Sequence, residues 1–317
     1  MRALITGISG FVGSHLAEYL LRETDWQIGG TVFGDDANIA HLRAELTLYP
    51  AELSGLDTAV RILEQAQPDY VFHLAAQPLT SLSRIDPWAT LETNIRVQLN
   101  LLEAIVHLRI GCRFLVVGSS EEYGRIQPNE LPVREETPLR PLNPYAVSKI
   151  AQDYLAYQYF LSHHLPIVRL RPFNHIGPRQ GTGFVVSDFA KQIAEAEAGM
   201  GPPVLRVGNL SARRDFSDVR DIVRGYALAL ERGEPGEVYN LGSERSQAIQ
   251  EVLDILLSLS RIRLTIEPDP ARLRPSDTPE IRSDCSKFRA RTGWHTTYAL
   301  EASLRDVLDY WRSRLRR

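Results

Sequence analysis

Tyr145 and Lys149 stand four residues apart in Tyr145-Ala-Val-Ser-Lys149, a spacing that puts both side chains on one face of a helix. An ammonium beside a phenol stabilises the phenolate and draws the tyrosine pKa down from its ordinary value of about 10. The pair therefore reads as a unit that passes a proton near neutral pH. The lysine is the more telling member. Of 36 basic residues only Lys149, Lys191 and Lys287 are lysine, and a planar guanidinium does not replace a compact ammonium on a flexible stem. Ser119 follows the apolar run Phe114-Leu-Val-Val117. That places its hydroxyl at the carboxyl end of a strand, where it can donate a hydrogen bond to an oxygen on which charge develops. Near the start of the chain, Gly7, Gly10 and Gly13 punctuate Thr6-Gly-Ile-Ser-Gly-Phe-Val-Gly-Ser14. Three glycines between a strand and a helix let the backbone turn tightly and approach a pyrophosphate, with the helix N-terminus facing the negative charge.

These residues need a scaffold, and the sequence describes one. Ala3–Thr6, Tyr70–Ala75, Phe114–Val117 and Ile167–Leu170 are short, continuously apolar runs, the signature of parallel strands covered on both faces. Between them, Phe11–Leu21, Asp57–Gln65 and Thr93–Leu108 carry apolar residues at helical spacing. Strand and helix in alternation predict an α/β fold, a doubly wound parallel sheet with helices on both sides. The rhythm breaks after Arg171. Pro172–Gly183 is rich in Pro and Gly and reads as loop; helices are expected at Val186–Glu197, Asp218–Leu230, Gln247–Leu259 and Tyr298–Leu315, and a last strand at Glu237–Leu241. The expected organisation is a dinucleotide-binding domain of residues 1–171 plus 218–243, and a smaller α/β substrate-binding lobe of residues 172–217 plus 244–317.

Composition narrows the function. The 317 residues hold 44% hydrophobic and 24% charged side chains with a net charge of -3, so no basic excess exists to bind a nucleic-acid backbone. No apolar stretch approaches the roughly 18 residues that span a bilayer. Two cysteines, Cys112 and Cys285, make neither a disulfide framework nor a thiolate metal cluster, and the opening Met-Arg-Ala-Leu-Ile does not read as a secretory leader. The expectation is a cytoplasmic protein with no metal, nucleic-acid or membrane partner.

The glycine spacing, Gly-x-x-Gly-x-x-Gly, resembles that of the extended short-chain dehydrogenase/reductase family, Rossmann-type enzymes that act on nucleotide-activated sugars. Further matches run almost end to end: His73-Leu-Ala-Ala76, Asn94, Gly118-Ser-Ser120 before Tyr123-Gly124, Tyr145-x-x-x-Lys149, Arg171-Pro-Phe-Asn174, Arg214-Asp-Phe216 and Thr292-Gly-Trp294. The resemblance implies NADPH or NADH as cofactor, held by Gly7, Gly10, Phe11, Val12, Gly13, Glu52, Leu53, Leu74, Ala75, Ala76, Asn94, Tyr145 and Lys149. It implies Ser119, Tyr145 and Lys149 as catalytic residues, Ser119 being four before the Tyr of the Tyr-Gly pair. Glu121, two before that Tyr, corresponds to the proton-abstracting carboxylate of the sugar-nucleotide 4,6-dehydratases. Asp35 and Asp36, after the second strand, disfavour a ribose 2′-phosphate while Arg43 favours one, and both forms of the cofactor stay open.

The segment from Phe173-Asn-His-Ile-Gly-Pro178 to Gly183-Phe-Val185 is similar to two groups, the GDP-mannose 4,6-dehydratases and the reductases that consume their 4-keto product. Where the dehydratases carry Glu-Ser after Asn-His this chain has Ile176-Gly177, and where they carry a nucleotide-reaching Lys it has Asp188. The reductase pattern is the better match, so the expected reaction is reduction of GDP-4-keto-6-deoxy-D-mannose at C4 to GDP-D-rhamnose. The alternatives are a 4,6-dehydratase or another nucleotide-sugar epimerase, and a non-enzymatic dinucleotide sensor. The resemblance implies substrate contacts from Ser120, Asn174, Val185, Lys191, Arg214, Arg274 and Glu280. Arg213 reads as a solvated charge and Lys287 as structural. It also implies a homodimer joined by a four-helix bundle, to which Leu99, Leu102, Ile105, Leu155, Tyr159 and Phe160 are expected to contribute.

Overall fold

A computed structural model describes residues 1–273 and 278–315. Its strands are β1 (Arg2–Thr6), β2 (Gln27–Val32), β3 (Leu46–Pro50), β4 (Tyr70–His73), β5 (Arg113–Val117), β6 (Ile167–Pro172), β7 (Asn174–Ile176), β8 (Val204–Val207), β9 (Arg213–Asp218), β10 (Val238–Leu241), β11 (Ser246–Ala248) and β12 (Thr265–Pro268). Its helices are α1 (Phe11–Glu23), α2 (Leu56–Ala66), α3 (Thr80–Ile85), α4 (Pro87–Leu108), α5 (Pro144–His163), α6 (Val185–Glu197), α7 (Val219–Arg232), α8 (Ile249–Ser258), α9 (Ser286–Thr292) and α10 (Leu300–Leu315).

Seven strands form one parallel sheet in the order β10-β6-β5-β4-β1-β2-β3. The chain runs outward from β1 to β3, returns to β4 and runs outward the other way, which opens a crevice at the carboxyl ends of β1 and β4. One face of the sheet is covered by α1 and α7, whose Leu16, Leu20, Ile222 and Tyr226 share a core with Phe288 and Trp294. The other is covered by α2, α4 and α5 through Ile62, Leu101, Leu102 and Tyr159. A separate core joins α6, α8 and α10 through Phe189, Ile193, Leu253 and Leu304, beside the small sheets β11-β9-β7 and β12-β8. No helix among the described residues is long and apolar enough to cross a membrane.

Several elements differ from the sequence expectation. The chain leaves the sheet at His73, so Leu74–Ala76 belong to a loop and not to the strand. Helix α4 begins at Pro87, six residues before Thr93, because Asp86 caps it by accepting from the Ala89 amide at 3.0 Å and proline suits a first helical turn. The supposed loop after Pro172 contains β7, which pairs with β9 from Asn174 to Ile176.

Candidate active site

The glycine turn lies at the crevice. Gly7 has φ +71, and a Cβ there would lie 3.1 Å from the Ala75 Cα; one on Gly13 would lie 2.3 Å from the Gly7 carbonyl. A side chain would therefore fill the space between the turn and the loop after β4. Thr6 fixes that loop, its Oγ1 accepting from the Leu74 and Ala75 amides at 3.1 Å each. Helix α1 starts at Phe11, and Gly10 before it offers no side-chain cap, so the amides of its first turn, including Phe11, Val12 and Gly13, lack intrahelical partners and suit an anion. The cradle fits a dinucleotide pyrophosphate.

The remaining cofactor candidates divide. Leu74, Ala75 and Ala76 are half-buried beside the turn. Asn94 is completely buried behind their loop, bonded to both the amide and the carbonyl of Gln77 and to Ser148, so it positions the loop. Leu53 packs into the core under α2 and α4 while Glu52 is exposed. Arg43 pairs with Asp36, and Asp35 accepts from the Ala37 amide at 2.9 Å; these charges answer one another beside the end of β2.

Ser119, Tyr145 and Lys149 converge at the carboxyl end of β5, each nearly buried. Helix α5 is set by Asn143-Pro144: Asn143 Oδ1 accepts from the Ala146 amide at 2.8 Å, and its Nδ2 donates to Glu121 Oε2 at 2.9 Å. Lys149 Nζ donates to the Val117 carbonyl at 2.9 Å and lies 5.9 Å from the Tyr145 ring centre. Burial pulls the Lys149 pKa down to about 8, and the charge of Glu122 acts against that fall. Burial pushes the Tyr145 phenol above its ordinary value, with the hydrogen bond to Ser119 opposing the rise. The expected lowering of the tyrosine pKa by the neighbouring ammonium is not seen here: Lys149 Nζ lies 5.9 Å from the ring while donating to a backbone carbonyl, and desolvation of the phenol dominates.

A cleft opens beside this group, lined by Ser120, Glu121, Asn143, Asn174, Arg214 and, from α3, Thr80 and Arg84. Arg214 donates to the carbonyls of Arg213 and Thr278 at 2.8 Å each. Val185 is half-buried at the start of α6, and Glu280 lies beside Arg213 in a backbone bridge. Lys191 does not reach the cleft lining; it pairs with Glu195 one turn along α6 at 3.2 Å and lies over Trp311. Arg274 lies outside the described residues. Arg213, expected to be solvated, donates to the Ser246 carbonyl at 2.8 Å and faces Glu251 at 3.6 Å. Lys287 is structural, as expected, bonding Glu237 and the Val238 carbonyl. Sequence reasoning missed Thr80, Arg84 and Asn143. Asn before Pro is a helix-start signature that would have found the last, whereas α3 has only six residues and leaves no periodic trace.

A seven-stranded doubly wound sheet, a glycine turn at its crevice and a Ser-Tyr-Lys group at the end of β5 define an extended short-chain dehydrogenase/reductase. The GDP-mannose 4,6 dehydratase family profile matches residues 4–307, and the chain belongs to that family. Among curated relatives, the GDP-6-deoxy-D-mannose reductase of Pseudomonas aeruginosa is 36% identical over 99% of this chain and 98% of the relative. The GDP-mannose 4,6 dehydratase 1 of Arabidopsis thaliana is 29% identical over 97% of this chain and 88% of its own. Among solved structures, RMD from Pseudomonas aeruginosa complexed with NADPH superposes with a TM-score of 0.87 at 33% identity, covering 99% of this chain and all of that one (100%).

Proposed function

We propose that this protein reduces the C4 ketone of GDP-4-keto-6-deoxy-D-mannose to GDP-D-rhamnose with NADPH or NADH. The observation that carries the reading is the convergence of Ser119, Tyr145 and Lys149 beside a cleft lined by Ser120, Asn174 and Arg214, together with a cradle that fits a dinucleotide. The end-to-end likeness to a GDP-6-deoxy-D-mannose reductase supports this substrate over its dehydratase precursor. A reduced nicotinamide dinucleotide held in that cradle would supply the hydride to C4. Ser119 donates a hydrogen bond to the C4 oxygen, and Tyr145 gives up its phenolic proton to that oxygen as negative charge develops there. The Lys149 ammonium stabilises the remaining phenolate, which then regains a proton from solvent. Arg214 suits the diphosphate oxygens as a guanidinium donor, while Glu121, held by Asn143, faces the sugar and removes no proton.

The division into a dinucleotide-binding domain of residues 1–171 plus 218–243 and a substrate lobe is supported by the separate core of α6, α8 and α10, while α9 and Trp294, expected in the lobe, pack into the core of α1 and α7 and go with the first domain. A homodimer is supported by an exposed apolar stripe on α5, Val147, Tyr154, Tyr157 and Leu161, beside Leu99 and Trp88 on α4. Of the residues first expected there, Leu102, Ile105 and Tyr159 are buried in the protomer's own core, so the stripe lies one helical face away. A cytoplasmic setting is supported by two cysteines that are free thiols.

The test is to supply the purified protein with GDP-4-keto-6-deoxy-D-mannose and NADPH or NADH. One equivalent of reduced nicotinamide consumed per sugar supports the reading; release of water from GDP-mannose with no reduced cofactor added would replace it with the dehydratase.

A further inference from the structure

Beneath the reacting groups lies a buried charge that the proposed chemistry leaves unused. Glu121 and Glu122 are neighbours on one short turn, yet Glu121 lines the cleft while Glu122 is wholly buried. Glu122 Oε1 accepts from the Ser119 amide at 2.8 Å, and its Oε2 lies 3.0 Å from Arg171 Nε. The Arg171 Nε in turn donates to Asp153 Oδ2 at 2.9 Å, and its Nη1 to the Tyr123 hydroxyl at 3.2 Å. Asp153 is one turn beyond Lys149 on α5, so a closed circuit of charge runs from the Ser119 turn through β6 to the helix that carries Tyr145 and Lys149. The turn is built around the carboxylate: a Cβ on Gly118 would lie 2.2 Å from Glu122 Oε1. Lys149 at the Val117 carbonyl and Glu122 at the Ser119 amide thus hold the two ends of Val117-Gly118-Ser119.

Resting on the reductase reading above, we propose that Glu122 is a positioning residue for the reduction: its buried carboxyl group fixes the Ser119 turn against α5 and so keeps the Ser119 hydroxyl and the Val117 anchor of Lys149 in place. The charged and titratable groups around it are Lys149, Asp153 and Tyr145 from α5, Arg171 from β6, and Tyr123 from its own turn. Burial raises Glu122 to about 8, with Asp153 adding to the rise and Arg171 opposing it.

Two variants separate the charge from the hydrogen bond. Glu122→Gln keeps an acceptor for the Ser119 amide and removes the charge; Glu122→Leu removes both. Lysine labelled with 13C at Cε gives resonances from only Lys149, Lys191 and Lys287, and Lys149→Arg assigns the one of interest. The Lys149 resonance should stay near its parent position in Glu122→Gln and move in Glu122→Leu, where the turn that carries its Val117 partner is released. The kcat for ketone reduction should fall about tenfold or more in Glu122→Leu and less in Glu122→Gln, with KM for sugar and nicotinamide within about twofold of the parent. A Lys149 resonance that stays in place in Glu122→Leu overturns the inference, as does a loss that appears only in KM. If Glu122→Leu does not fold by circular dichroism, Glu122→Asp, whose shorter side chain draws the acceptor away from the Ser119 amide, takes its place with the same expected outcomes. A parent enzyme that leaves the ketone untouched defeats the proposed function, and the Lys149 resonance still judges whether Glu122 holds the turn.

Discussion

Tyr145 and Lys149 are held by opposed effects, and each sets a measurable limit. Because burial keeps the phenol protonated well past neutral pH, the alkaline loss of activity belongs to Lys149. The ammonium is present below about 8 and is lost as pH rises through that value, so kcat/KM for ketone reduction should decline on the alkaline side with a midpoint there. A profile flat through that region would contradict the role of Lys149. Tyr145→Phe removes the proton donor and should lower kcat by about 10²- to 10⁴-fold with substrate binding little changed; near-normal turnover would show that another group supplies the proton. Glu121 distinguishes the two chemistries of this family. A dehydratase needs that carboxylate to take the C5 proton, but a reductase starts from a ketone. Glu121→Gln should therefore keep ketone reduction within about tenfold of the parent, while Lys149→Ala loses at least about a hundredfold. Equal losses in steady-state assays of the two variants would put a C5 proton back into the mechanism.

At the scale of the element, the site depends on backbone that tolerates no added atom. Gly13 packs so closely on the Gly7 carbonyl that Gly13→Ala must lift α1 from the turn. The expected cost is about 1–3 kcal/mol of overpacking, seen as a lower melting temperature and weaker binding of reduced nicotinamide by fluorescence titration. This turn was legible in sequence because glycine, strand and helix signals coincide within a few residues. So were β1, β4, β5 and β6, whose burial on both faces forces continuous apolar runs. The half-exposed edge strand β3 carries no such run and went unread. The site itself was legible where one residue does the chemistry, as with Lys149. It was not where a residue works through another: Asn143, Glu122 and Asp153 matter by the partners that folding brings to them, some from far along the chain.

For the whole molecule, assembly and folding follow from what the surface and sheet leave open. Val147, Tyr154 and Leu161 recur every seven residues on the outer face of α5, a spacing that suits pairing with another helix. Light scattering at micromolar concentration should give a dimer, and the double variant Tyr154→Glu, Leu161→Glu should give a monomer that stays folded, since both side chains are exposed. A parent that scatters as a monomer would count against the bundle. The strand order has a consequence for the chain as it is made. Strand β10, the partner of β6, is separated from it by the whole stretch from Phe173 to Glu237. A ribosome adding about 5–20 residues per second needs roughly 3–13 s to cross those 65 or so residues. Through that interval the nascent sheet has β6 as a bare edge, and for most of it α7 is also missing from its core, so the half-made protein is at its stickiest before α7 and β10 emerge.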